Sequence, residues 1–196
     1  MASVVISGDS SGTITLSAPS VAGTNTATLP AQTGTVGMIA QGTAVATTSG
    51  TSVTFTGIPS WAKSITVMFN GVSTNGSSPI IIQIGSGSVS TSGYISNGSA
   101  IQGANVGAGS YTTGFGIADA NLAVFIGYGV ASINLISSNL YTFMSVMAQN
   151  GAANPRTIHG GGVSPTLGGA LDRVIITTVN GTDTFDAGSV NILYQG

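Results

Sequence analysis

The chain of 196 residues contains no cysteine and no glutamate, and it has few charged residues of either sign. Three lysine and arginine residues and five acidic residues make up 4% of the sequence, against about 25% in an average globular protein. The lack of cysteine excludes a disulfide framework, a thiolate nucleophile and a cysteine-ligated zinc site. Three scattered cations cannot neutralise a run of phosphates, so the sequence predicts no nucleic-acid partner.

Signals for secretion or membrane insertion are also missing from the sequence. The first residues, MASVVISGDSSG, have no basic region and no sustained apolar run, so we expect no signal peptide. Residues 120–136 are uncharged and mostly apolar, but asparagine, glycine and serine interrupt them, and they reach only the lower limit for crossing a bilayer. We therefore expect buried strands here and no membrane partner.

The residues that are present are typical of a β protein, and helical spacing of apolar residues is absent. Apolar and polar residues alternate in four short runs, at 53–55, 65–69, 80–84 and 190–194. Two further runs, 140–147 and 174–179, indicate strands buried on both faces. Asn-Gly pairs that indicate turns occur at 70–71, 75–76, 97–98, 150–151 and 180–181. The sequence predicts an all-β protein whose head, residues 53–196, is an antiparallel β-sandwich of jelly-roll type.

The first 40 residues differ in kind, because they contain no aromatic residue and a single charge, Asp9. Their apolar side chains are too few to offset the conformational entropy of ordering the segment alone. We therefore predict a short extended β arm or stalk over residues 1–40, held by sister chains or by a larger assembly, and a linker over 41–52. The candidate contact residues of this arm are Ile14, Leu16, Val21, Leu29 and Pro30.

Two strings resemble catalytic motifs. GDSSG at 8–12 fits the nucleophile pattern around Ser10, and HGGG at 159–162 fits the oxyanion motif of lipases. The only histidine, His159, would then serve as both oxyanion-motif residue and general base, and the two motifs occur in the reverse of the usual order. We therefore predict no enzyme activity, no catalytic residue and no cofactor.

The acidic residues offer one close pair, Asp183 and Asp186. Turn capping through hydrogen bonds to backbone N–H groups is the favoured interpretation, with a metal site as the alternative. No EF-hand pattern is present, so the sequence predicts no metal site.

The aromatic residues divide into two groups. Trp61 is predicted as an anchor of the core or of a subunit interface, with a sugar-stacking platform as the alternative. The residues predicted for the head core or a subunit interface are Trp61, Phe69, Phe143, Ile192 and Tyr194. The tyrosines predicted as exposed ligand contacts in Gly/Ser-rich loops are Tyr94, Tyr111 and Tyr128.

Parts of the chain resemble bacteriophage virion surface proteins. Residues 7–36, SGDSSGTITLSAPSVAGTNTATLPAQTGTV, resemble a module near the N-termini of tail fibres and other virion proteins. Residues 51–78 and 171–196 resemble the opening and closing strands of a phage β-sandwich head domain. The resemblance covers somewhat under half of the chain, and residues 79–170 match no known pattern.

The resemblance implies a non-enzymatic homotrimer that is assembled in the host cytoplasm and exposed on the virion surface. A single short stalk before the head is more similar to a capsid decoration (cement) protein or short head fibre than to a long tail fibre. The implied partner is then the major capsid protein, bound through the arm. The alternative is a short tail-fibre adhesin that contacts tail proteins and recognises a host surface glycan.

Overall fold

The computed structural model describes residues 3–7, 10–17, 20–21, 24, 37–151 and 155–196. Over these residues the chain forms strands and no helix, which confirms the predicted all-β class. Every strand pair is antiparallel. The chain divides into two units, Met1–Val36 and Gly37–Gly196.

The strands follow one another in chain order. They are β1 (Ser3–Ser7), β2 (Thr13–Ser17), β3 (Ile39–Gln41), β4 (Val45–Ala46), β5 (Ser52–Thr56), β6 (Ser64–Thr74), β7 (Ile80–Ser86), β8 (Ser88–Val89), β9 (Ile95–Gln102), β10 (Asn105–Tyr111), β11 (Phe115–Gly116), β12 (Ile126–Ser137), β13 (Leu140–Asn150), β14 (Arg156–Val163), β15 (Arg173–Thr178) and β16 (Phe185–Gln195). The six predicted apolar runs lie in β5, β6, β7, β13, β15 and β16. The prediction that runs 140–147 and 174–179 are buried on both faces was wrong, because buried residues alternate with more exposed ones along β13 and β15. The apolar stretch 120–136 contains most of β12.

The second unit contains two sheets. The large sheet has nine strands in the order β10-β9-β14-β13-β12-β6-β16-β3, with β4 also paired to β16. The small sheet has five strands in the order β11-β7-β15-β5, with β8 paired to β7. Both sheets contribute to one hydrophobic core, where the ring of Phe115 from β11 stacks on Phe143 from β13 at 4.6 Å. The arrangement is sandwich-like.

Three of the predicted core residues, Phe69, Phe143 and Ile192, are buried in this core. Trp61 and Tyr194 are partly buried and pack against it. Trp61 lies just before β6, where its carbonyl is close to the last residue, Gly196.

The predicted linker is not a free connection in the structure. β3 and β4 lie within residues 37–46 and extend the large sheet along β16. The backbones of Met38 and Gly196 also exchange hydrogen bonds of 2.7 and 3.1 Å. These short strands supply hydrogen-bond partners for an edge of β16 that would otherwise be unpaired.

Two of the five Asn-Gly pairs, predicted as turns, lie inside strands. Asn70-Gly71 is in β6, where Gly71 has a positive φ of 69° and the pairing register shifts, which defines a β-bulge. Asn97-Gly98 is in the middle of β9, where the backbone of Ala118 lies against Gly98 and leaves no room for a Cβ atom. Close approach of the backbone, and not a turn, accounts for this second glycine.

Candidate functional site

The hairpin formed by β1 and β2 has two chemically different faces. Val4 is opposite Leu16 and Ile6 is opposite Ile14, so these four side chains share one face. The other face carries serine and threonine side chains and Val5. All four side chains of the apolar face are more than half exposed, from 55% for Ile6 to 67% for Ile14. An isolated two-stranded hairpin is marginally stable in water, so this face is a candidate contact surface.

The structure describes three of the five residues that were predicted as arm contacts. Ile14 and Leu16 belong to the apolar face of the hairpin, and Val21 is 89% exposed. Leu29 and Pro30 lie outside the described residues.

Two of the three tyrosines predicted as exposed ligand contacts are buried. Tyr94 is 1% exposed, and its hydroxyl accepts the N–H of Ile84 at 2.9 Å and donates to the carbonyl of Ser90 at 3.0 Å. Tyr111 is 8% exposed, and its hydroxyl donates to the carbonyls of Ala118 and Asp119. The prediction was wrong for both, because each ring is buried and each hydroxyl hydrogen-bonds to backbone groups inside the fold. Burial raises the pKa of both hydroxyls to about 12. Tyr128 is half-exposed on β12.

A buried polar network surrounds Arg156 at the start of β14. Its guanidinium forms an ion pair with Asp119 at 3.1 Å and donates to Gln149 Oε1 at 2.7 Å. It also lies 4.1 Å from the ring centroid of Phe125. Burial lowers the pKa of Arg156, although the neighbouring Asp119 opposes this effect. No short sequence motif predicts this network, because Asp119 and Arg156 are 37 residues apart in the chain.

A polar cleft of about 210 Å³ opens beside this ion pair. The β9–β10 hairpin contributes Gln102, Asn105 and Val106 to its lining, and Asp119 and Arg156 line the opposite side. Arg156 donates to Asp119, to Gln149 and to the carbonyl of Ala120, so the cleft wall combines this held ion pair with polar side chains of the β9–β10 hairpin. Such a lining is suited to a small polar ligand with several hydroxyl groups.

The two catalytic-like strings lack the backbone context that their motifs require. The HGGG string forms part of β14, where His159 is paired with Val146 on one side and Ser99 on the other. An oxyanion motif needs a loop with free N–H groups, whereas the backbone here belongs to a sheet. Ser10 precedes β2 and is not followed by the helix of a nucleophile elbow.

Of the two acidic residues, Asp183 in the β15–β16 turn accepts a backbone N–H as predicted, whereas Asp186 at the start of β16 accepts a side-chain hydroxyl instead. Asp183 accepts the N–H of Ser78 at 2.8 Å and the side-chain amide of Asn180 at 2.7 Å. Asp186 accepts the hydroxyl of Ser73. Across the described parts of the chain, no group of three or more histidine and acidic side chains is placed to hold a metal ion.

The outward side of the large sheet forms a broad surface, which we call the outer face. It comprises every second residue of six adjacent strands, with four residues from each: 95–101 in β9, 157–163 in β14, 142–148 in β13, 128–134 in β12, 64–70 in β6 and 189–195 in β16. All of these residues are exposed or half-exposed, whereas the alternate residues face the core side of the sheet. None of them is Asp, Glu, Lys or Arg.

No helix within the described ranges is long and apolar enough to cross a membrane. Comparison with protein-family models, curated proteins and solved structures found no match to this chain. The candidate sites therefore rest on the geometry of this molecule.

Proposed function

We propose that this chain is a non-enzymatic structural protein of a phage virion surface, assembled in the host cytoplasm as a homotrimer. In this proposal it is a capsid decoration protein with a jelly-roll-like head and an attaching N-terminal arm. The observation that carries the attachment is the exposed apolar face of the β1–β2 hairpin. The virion location rests on the sequence resemblance.

The hairpin face suits attachment because it has nothing to cover it within its own two strands. Four aliphatic side chains on one face favour burial by roughly 25 cal/mol per Å² of apolar area. A second surface, such as the joint between subunits of the major capsid protein, would supply the missing layer. Repetition at every site on a shell would then multiply a small stabilisation per copy.

The test compares particle-bound copies for three forms of the full chain in purified virions, quantified by mass spectrometry against the major capsid protein. The wild type should approach one copy per capsid subunit. The double variant Ile14→Ser, Leu16→Ser should fall at least about 10-fold, since it removes half of the apolar face. The matched control Thr13→Ser, Thr15→Ser changes the opposite face and should bind like the wild type.

Each other outcome argues against a defined part of the proposal. Absence of the wild-type chain from virions would overturn the virion location. Retention of the Ile14 and Leu16 variant would overturn the role of the hairpin. A few to a few tens of wild-type copies would move the protein from the shell to the tail or to special vertices.

The second candidate function is a short tail-fibre adhesin that recognises a host surface glycan. The polar cleft between Asn105 and Asp119 favours it, because side-chain amides and carboxylates are suitable partners for sugar hydroxyls. The purified protein should then compete with phage adsorption to host cells, and Asn105→Ala should weaken that competition. Lack of competition at high concentration would contradict this function.

A further inference from the structure

The outer face is unusual in its chemistry for a surface that meets solvent. Sheets with one solvated face carry polar and charged residues there, and charge normally keeps such faces soluble. In this face, four outward residues on each of six strands include no acid, lysine or arginine. The two titratable side chains are His159 and Tyr128. Charged residues are depleted in the same way from the cores of protein–protein interfaces.

The middle of the outer face is apolar and continuous. Val130 of β12 lies opposite Val146 of β13 and, on its other side, opposite Met68 of β6. Val130 and Val146 are 45% and 46% exposed, and Met144, two residues along β13 on the same side, is 58% exposed. This cluster on the central strands is continued toward the edges by a mixture of hydroxyl, amide and aliphatic side chains, the aliphatic ones including Ile95 and Ile101 of β9.

The size of the face also matches what stable association needs. Six strands spaced about 4.8 Å apart, each spanning seven residues at about 3.3 Å per residue, give a flat area of about 670 Å², within the range of roughly 600–1,000 Å² per partner in standard interfaces. A standard interface buries roughly 800 Å² on each partner. One face of this sheet therefore suffices for a stable contact.

We propose that the outer face is the surface through which copies of this chain associate with one another. A partner of average composition would bury charges against a face that offers no opposite charge, at a large cost in desolvation. In the proposed homotrimer the outer faces of the other two copies carry no charge that would be buried without a partner, and their valine and methionine side chains match those that they meet. The inference deepens the self-association in the proposed function but does not depend on the virion location.

The test is the mass of the full chain in solution, measured by sedimentation velocity from about 0.5 to 50 µM. The wild type should be oligomeric. The variant Val130→Glu, Val146→Glu should raise the dissociation constant at least about 100-fold, because buried like charges would face each other across the interface. The matched control Thr54→Glu, on an exposed position of β5 in the small sheet, should keep the wild-type mass.

The outcomes separate this inference from the proposed function. A monomeric wild type would overturn both the oligomer and the interface. An oligomer that survives both glutamates would overturn the outer face alone. Loss of particle binding in the hairpin variant would affect neither result, since no particles are present in this measurement.

A second measurement applies if the glutamate variant does not fold. The chain has no cysteine, so one introduced cysteine can be labelled selectively. Met144→Cys should react with a maleimide at least about 10-fold more slowly in the oligomer than Thr54→Cys. Equal rates would contradict a covered outer face.

Discussion

At the scale of single residues, two buried tyrosines hold together loops that strand pairing leaves unsatisfied. The Tyr94 hydroxyl connects β7 at Ile84 with the loop at Ser90, and its ring packs edge-on against Phe115 at 5.0 Å. Tyr111 connects the end of β10 with the backbone at Ala118 and Asp119. Each phenol acts as a hydrogen-bonding partner inside the fold, and a buried phenolate would lose that environment.

Because these phenols are buried in their neutral form, we expect the free energy of unfolding to fall at alkaline pH. Burial raises the pKa of Tyr94 from 10.0 to about 12, so the unfolded chain releases this proton before the folded chain does. The stabilisation from the neutral phenol is complete below pH 10 and is lost as pH rises from 10 to 12, with a size of about 2 kcal/mol. Urea unfolding between pH 8 and 12 measures it, and Tyr94→Phe should flatten the slope.

A partial slope should remain in Tyr94→Phe, because burial raises the pKa of Tyr111 in the same direction. Tyr94→Phe should also be less stable at neutral pH by about 1–2 kcal/mol, since the N–H of Ile84 loses its acceptor. An unchanged alkaline slope in Tyr94→Phe would contradict the assignment.

At the scale of strands, the long pair β6 and β16 bends at two glycines that face each other. Gly71 and Gly188 have positive φ values of 69° and 89°, and both lie where the pairing register shifts. A Cβ atom on Gly188 would collide with the carbonyl of Gly71. The bulges therefore need glycine for both backbone conformation and space.

Gly188→Ala should destabilise the protein more than Gly57→Ala. Both glycines have positive φ, but a Cβ on Gly57, at φ 72°, meets nothing within 4 Å. Gly57→Ala should cost about 1 kcal/mol from backbone strain alone. Gly188→Ala should cost about 3 kcal/mol, because two backbone segments must also move apart. Equal losses in chemical denaturation would show that the contact between the bulges contributes nothing.

The strands that the apolar pattern predicted differ from the strands that it missed in what covers their buried faces. β6 and β16 bury Val, Ile and Phe mainly on one face, and β7 buries Ile80, Ile81, Ile82 and Ile84, apolar residues that the sequence displays directly. β9 and β14 instead have glycines at positions 98 and 160, where the backbone of Ala118 and of Gly116 packs directly on them, and Gly107 of β10 lies against the side chain of Asp119. Apolar periodicity cannot reveal a strand whose buried side is covered by another main chain.

The candidate sites were less predictable than the strands for the same reason. The outer face includes β9 and β14, so its charge-free character is visible only after those strands are placed. Tyr94 and Tyr111 were predicted as loop contacts because glycine and serine surround them in sequence. Their burial follows from long-range contacts that local composition does not encode.

At the scale of the whole molecule, the chain consists of two compact units, Met1–Val36 and Gly37–Gly196. Among the residues that the structure describes, the hydrophobic core of the second unit draws its members from residue 53 onward. Residues 37–46 belong to the second unit through β3 and β4, which pair with β16. The structural boundary therefore falls at residue 36, before the predicted arm ends.

Two truncations should separate these boundaries. Removing residues 1–36 should leave the melting temperature of the remainder unchanged, because residues 37–196 form a compact unit whose described core begins at residue 53. Removing residues 1–46 also deletes β3 and β4 and the hydrogen bonds that Met38 and Gly42 make with Gly196 and Ile192. This loss should cost about 3 kcal/mol, which for a domain of this size lowers Tm by roughly 6–12 °C. Equal melting temperatures, measured by calorimetry, would mean that β3 and β4 add no stability and that the independent unit begins after residue 46.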